Sequence, residues 1–205
     1  MIITWYGEAC FLLEAGEARI LIEPPSKESG IASPRLKSDI LITAAKPLDN
    51  KSEAFVINSP GEYEVKGINI LGISDPSPPA GGLRQVNTIY KIEIDEIKIA
   101  HLGFLNKGLD SEKLELLGDP DIVLVPAGGL KDELLNAEAA MKLINKLEPS
   151  IAIPMLFDIK GLKIKRAPIS DFIKESEAKD SPMPKLSIKK KDINEEETKI
   201  IILEK

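Results

Sequence analysis

Histidine and cysteine are almost absent from this 205-residue chain, which has His101 and Cys10 and no other of either type. With one cysteine, no internal disulfide forms. Catalytic zinc usually takes three protein ligands, mainly histidine with cysteine or carboxylate. One histidine and one cysteine do not build a histidine-rich mononuclear or dinuclear centre, although composition leaves a carboxylate site for magnesium open. Long apolar runs are also missing. None approaches the roughly 18 residues of a membrane span, and Glu8 interrupts the N-terminus before a signal-peptide core develops. A cytoplasmic protein without a membrane partner is therefore expected. Excess positive charge is lacking too. A net charge of -6 argues against sequence-independent nucleic-acid binding, which needs a basic surface. The run Lys189-Lys190-Lys191 is followed at once by Asp192 and Glu195 to Glu197, as on a solvated strand end.

The length suits one sizeable core and one domain over residues 1–205. Fifteen prolines and fourteen glycines point to many loops rather than a helical bundle. The first half reads as short strands: Ile2 to Trp5, Cys10 to Leu13, Ala18 to Ile22, Ile40 to Thr43, Ala54 to Ile57, Tyr63 to Val65, Ile68 to Ile73, Thr88 to Ile94 and Ile97 to His101. Ser74 to Gly82 is a loop by composition. The second half alternates helix and strand. Asp110 caps a short helix that Gly118 ends, and Asn136 caps a longer one whose Ala140, Ile144 and Leu147 share a face. Ile122 to Val125 and Ile151 to Pro154 are apolar strands. Ile169 to Ala178 reads as a helix, and Leu186 to Lys190 and Thr198 to Leu203 as closing strands. Two packed sheets with helices outside follow from this order.

The ordered motifs say more. Trp5-Tyr6-Gly7-Glu8-Ala9-Cys10-Phe11 resembles the opening W-x-G-H-[SA]-x-F of one branch of the metallo-β-lactamase superfamily, the branch of ascorbate-6-phosphate lactonase-like proteins and related zinc-dependent hydrolases. Ile20 to Pro24, Pro60 to Val65, Asn87 to Tyr90, His101 to Gly103, Asp121 to Gly129 and Ile153 to Met155 resemble its later segments in order. The resemblance implies an α/β fold, a four-layer αββα sandwich with its active site at the sheet edges. It also implies zinc or manganese, held by a T-H-x-H-x-D-H loop after the fourth strand. Here that loop reads Thr43-Ala44-Ala45-Lys46-Pro47-Leu48-Asp49. By this resemblance Ala44, Lys46, Leu48 and Asp49 stand at ligand positions, Phe104 at the bridging aspartate and Leu156 at the last histidine. Asp49 alone keeps ligand chemistry, so no metal and no cofactor is expected.

The remaining candidates for chemistry are Glu8, Lys46, Asp49 and His101. An ion-pair cluster is one expectation, with Lys46 supplying the charge of the lost metal between Glu8 and Asp49; solvent-facing side chains are the alternative. A rebuilt site from Glu8, Asp49 and His101 has three ligands but no recognisable spacing. His101 reads more simply as a packed, hydrogen-bonded residue, and Cys10 as a buried inert thiol. Val125 to Gly129 lacks phosphate-loop spacing and reads as a strand-end turn. The first expectation for function is a degenerate, non-catalytic member of this fold acting by binding or assembly, with a homo-oligomer, a small molecule or another protein as partner. The alternatives are a metal-dependent hydrolase with a rebuilt site and a small-molecule binder using the old cleft. Fold alone does not choose between them.

Overall fold

The computed structural model describes residues 1–43, 53–76, 87–131, 133–179, 181–194 and 196–205. Two sheets pack face to face. The first has the order β12-β1-β2-β3-β4-β5, where β1 is Ile2–Trp5, β2 Phe11–Ala15, β3 Ala18–Ile22, β4 Ile40–Ile42, β5 Phe55–Ile57 and β12 Leu186–Ser187. The second has the order β13-β11-β10-β9-β8-β7-β6, where β6 is Gly61–Val65, β7 Ile68–Asp75, β8 Asn87–Ile94, β9 Ile97–His101, β10 Ile122–Pro126, β11 Ile151–Met155 and β13 Lys199–Ile200. β1, β2 and β3 form an antiparallel meander, and β3, β4 and β5 run parallel. In the second sheet β6 to β9 are antiparallel, and β9, β10, β11 and β13 are parallel.

Period-two alternation places the core. Ile122 and Leu124 face the space between the sheets with Ile97, Ile99, Ile20, Ile22 and Phe11. Val123 and Val125 face the other way with Ala152, Leu143, Ile144 and Phe172. Strands buried on both faces read as continuous apolar runs, which is why β10 and β11 carry almost no polar residue. Three helices cover this outer face: α1 (Ser111–Leu117), α2 (Ala137–Leu147) and α3 (Ile169–Ser176). The caps are those the sequence signals. Asp110 Oδ1 accepts from the Lys113 N–H at 2.9 Å and Asn136 Oδ1 from the Ala139 N–H at 2.9 Å, each satisfying an amide the helix leaves unpaired. The outer face of the first sheet carries a smaller cluster of Cys10, Leu21 and Leu41, with Tyr6, Ala54 and Val56 against it. No helix among the described residues is long and apolar enough to cross a membrane.

Several element ends differ from the sequence reading. The expected strand Leu186 to Lys190 stops at Ser187, because Lys190–Asp192 is a 3-10 turn whose Asp192 carboxylate accepts the Lys189 N–H at 3.0 Å. The expected strand Thr198 to Leu203 pairs only over Lys199–Ile200, with Leu203 bridging to Met183. α3 ends at Ser176, where Glu177 turns to φ 52°. Much of the expected loop Ser74 to Gly82 lies outside the described residues.

Candidate functional site at one edge of the sandwich

β1, β3, β4, β5, β7, β9, β10 and β11 all end at the same edge, and β2, β6 and β8 begin there. Buried polar side chains gather at this edge: Glu8, Glu23, Thr43, Asp75, Asn87, Thr88 and His101 are all buried. The edge is where the parallel strands of both sheets present their C-terminal ends, the common location of a site in sheets of this kind.

Glu8 sits in the turn between β1 and β2, at φ 51°. Its backbone carbonyl accepts from Trp5 Nε1 at 2.9 Å and from the Leu156 N–H at 3.3 Å. Its carboxylate meets Arg166, with Nη2 to Oε2 at 3.0 Å and Nε to Oε1 at 3.4 Å. Both side chains are almost sealed, 8% and 7% exposed. This is a side-on, bidentate guanidinium–carboxylate pair, the geometry that suits arginine for buried ion pairing. Arg166 is placed by the segment after β11. The Asp158 N–H donates to the Ala167 carbonyl at 2.9 Å, and the Ala167 N–H to the Gly128 carbonyl at 2.9 Å. Gly128 has to be glycine there, because a Cβ would lie 2.3 Å from the Leu156 carbonyl oxygen. The Trp5 and Phe157 rings, with centroids 4.7 Å apart, close the apolar side.

Of the expected cluster of Glu8, Lys46 and Asp49, only Glu8 is among the described residues. The observed partner of Glu8 is Arg166; Ala44, Lys46, Leu48 and Asp49 lie outside the described residues. Arg166 escapes sequence reasoning because no local motif marks it and 158 residues separate it from Glu8. The only signal is an arginine among the lysines Lys160, Lys163 and Lys165.

His101 is fully buried and points between the sheets. The Gly103 N–H donates to Nδ1 at 3.2 Å, so Nε2 carries the proton and donates to the Ala9 carbonyl at 3.0 Å. A carbonyl only accepts, which fixes this tautomer by the network. With both ring nitrogens engaged, His101 ties the second sheet to the first. In this arrangement neither nitrogen offers a lone pair to Glu8 or to a metal. Phe104 packs on the inter-sheet core, and its N–H donates to Asn87 Oδ1 at 2.8 Å. Asn87 Nδ2 donates to the Leu102 carbonyl at 3.2 Å and faces Asp75 Oδ2 at 3.4 Å. Leu156 is fully buried at φ 60°, a left-handed conformation that costs a leucine about 1–2 kcal/mol.

Cys10, on the outer face, has its pKa pushed up by burial and then by the Glu23 carboxylate. The Tyr90 hydroxyl is buried without a hydrogen-bond partner among the described residues. Burial, and next the charge of Glu23, raise its pKa; Thr88 pulls weakly the other way without reaching hydrogen-bonding geometry. Glu62 is exposed on the edge strand β6.

A family model for the beta-lactamase superfamily domain matches residues 2–156, and the chain belongs to that superfamily. Among curated proteins it is similar to a UPF0173 protein of Pyrococcus furiosus, 26% identical over 180 residues, 76% of this chain and 82% of that one. It is similar to a UPF0173 metal-dependent hydrolase of Thermoplasma acidophilum, 26% identical over 189 residues, 76% of this chain and 83% of that one. Among solved structures, a Thermotoga maritima protein described as a Zn-dependent hydrolase of the metallo-beta-lactamase superfamily superposes with a TM-score of 0.78 at 26% identity, covering 98% of this chain and 97% of that one. The fold is thus the α/β sandwich of the metallo-β-lactamases, and the chain is hydrolase-like in sequence and architecture.

Among the described residues the donor set does not gather into the zinc site that such relatives imply: no three His, Cys, Asp or Glu side chains come together as a metal site. The residues outside that description add only Asp49, Asp132, Asp180 and Glu195 to the possible donors. Of the positions matched to ligands by resemblance, Phe104 and Leu156 are apolar and packed on the inter-sheet core.

Proposed function

We propose that this chain is a metallo-β-lactamase-fold protein that works at the usual edge of the sandwich without the usual metal, as a binder of small molecules. The observation that carries this reading is the buried Glu8–Arg166 pair beside Leu156. The family position for a histidine holds a carboxylate already neutralised by a guanidinium, and the last ligand position holds a side chain with no donor atom. A cation added beside Arg166 meets like charge at short range. The strained backbone at Glu8 and Leu156 persists where strain tends to be kept for a site.

The test is metal analysis of protein purified without chelator or added metal. Zinc, manganese and iron are each expected well below one equivalent per chain. A value near one equivalent overturns the reading.

A second reading is a metal-dependent hydrolase with a rebuilt site. It is favoured by the description of the Thermoplasma acidophilum relative as a metal-dependent hydrolase and of the Thermotoga maritima structure as Zn-dependent. Metal near one equivalent, with hydrolysis lost on chelation and restored by that metal, is what this second reading expects.

A further inference from the structure

Arg166 is only half used by the protein. A guanidinium carries its N–H donors in a planar fork, and a nearly buried one needs partners for all of them. Nε and Nη2 are committed to Glu8. Nη1 has no partner among the described residues, and the Arg166 side chain keeps 8% of its surface exposed. The unused end of the fork, Nη1 with the second N–H of Nη2, is itself shaped for two oxygens of one anion.

A second observation points the same way. In a chain of net charge -6, the segment carrying Arg166 is locally basic. Lys160, Lys163 and Lys165 are exposed beside it, and Asp158 is its single acid. Such a patch draws anions towards the edge. Glu8 holds the guanidinium in one orientation, so little conformational freedom is lost when a ligand arrives. Trp5, Phe157 and Leu156 form the adjoining apolar structure.

We propose that the free end of Arg166 is the recognition group for an oxyanion, a carboxylate or a phosphate, on the small molecule this edge binds. The proposal rests on the metal-free reading above. In it the guanidinium supplies the positive charge for ligand oxygens, and Glu8 is its positioning residue. No covalent step is involved.

The experiment is a thermal-shift and calorimetric titration of the full chain with inorganic phosphate and with succinate, at low salt. Ligand binding to the folded state raises Tm by mass action. A concentration-dependent rise with either anion is expected. Phosphate alone assigns the phosphate class, succinate alone the carboxylate class, and both assign the shared oxyanion chemistry. The paired variant E8Q/R166M removes both charges and avoids leaving one buried alone; circular dichroism checks its fold. It is expected to bind at least about tenfold more weakly. R166K, which keeps the charge and loses the fork, is expected to bind about several-fold more weakly. No shift with either anion up to about 50 mM, where even the weakest specific binding shows, overturns the proposal. So does an equal shift in folded E8Q/R166M. Metal content is measured on the same samples. Metal-free protein that ignores both anions sinks this inference alone, whereas metal near one equivalent sinks the functional reading beneath it.

Discussion

The two ends of the sandwich treat buried charge differently. At the edge opposite the candidate site, Asp121 is buried just before β10, and everything it touches is structural. Oδ2 accepts the Lys98 N–H at 2.7 Å, and Lys190 Nζ lies 3.0 Å from Oδ1 and 3.2 Å from Oδ2. Its contacts fasten β9, β10 and the turn after β12. At the site edge Glu8 and Arg166 also pair, but Glu8 and the adjoining Leu156 are at positive φ, and one guanidinium nitrogen has no partner among the described residues. The fastening carboxylate has both of its oxygens engaged. A site keeps a polar group in reserve, and that contrast separates the two edges more sharply than polarity or burial does.

The largest effect expected from breaking the contrast is at the pair. Removing one partner leaves a buried charge alone, so Glu8→Gln or Arg166→Met is expected to lose about 3–5 kcal/mol of stability, measured by urea unfolding. The neutral double variant is expected to recover much of that loss. A double-mutant cycle with no coupling would show the two side chains to be independent. At the other edge, Asp121→Ala is expected to cost about 1–3 kcal/mol. Most of this comes from the stranded Lys98 amide, because Lys190 is 44% exposed and its ion pair is screened. Anion affinity is expected to stay unchanged in this variant. A fall in affinity there would erase the distinction between the edges.

How much of this is legible in the sequence depends on the range of the interactions. The strands around Ile20 and Ile122 show as alternating or continuous apolar runs, and Asp110 and Asn136 announce their helices, because those signals are local. The ordered motifs from Trp5 to Met155 carry the superfamily, which the family match over residues 2–156 shows. The partner of Glu8 is not legible, since Arg166 lies in a lysine-rich stretch with no motif and reaches Glu8 only once the two sheets pack and the ends of β1 and β11 meet at one edge. The roles of the two nitrogens of His101 are hidden for the same reason: Gly103 is local, but Ala9 belongs to the other sheet. The sequence around Lys190 reads as a strand. Lys190 leaves the strand for a turn from which its ammonium reaches Asp121.

The smallest effect per unit change separates the edges by titration. Cys10 lies at the site edge, and its folded pKa is raised by burial and by Glu23. In the unfolded chain the thiol ionises near pH 8.5. Below that value both states hold the proton, and the preference of the fold for the neutral thiol is fully present. Above it the unfolded state gives up its proton first and is favoured, so stability falls by about 1.4 kcal/mol per pH unit until the folded thiol ionises too. Tyr90, raised in the same direction, adds a second limb above about pH 10. Cys10→Ala is expected to flatten the first limb between about pH 8.5 and 10 and leave the second in place, as read by urea midpoints across that range. If the slope survives in Cys10→Ala, the alkaline weakness belongs to some other group, and the site edge loses its claim to be the part of the fold that strains its own titrating residues.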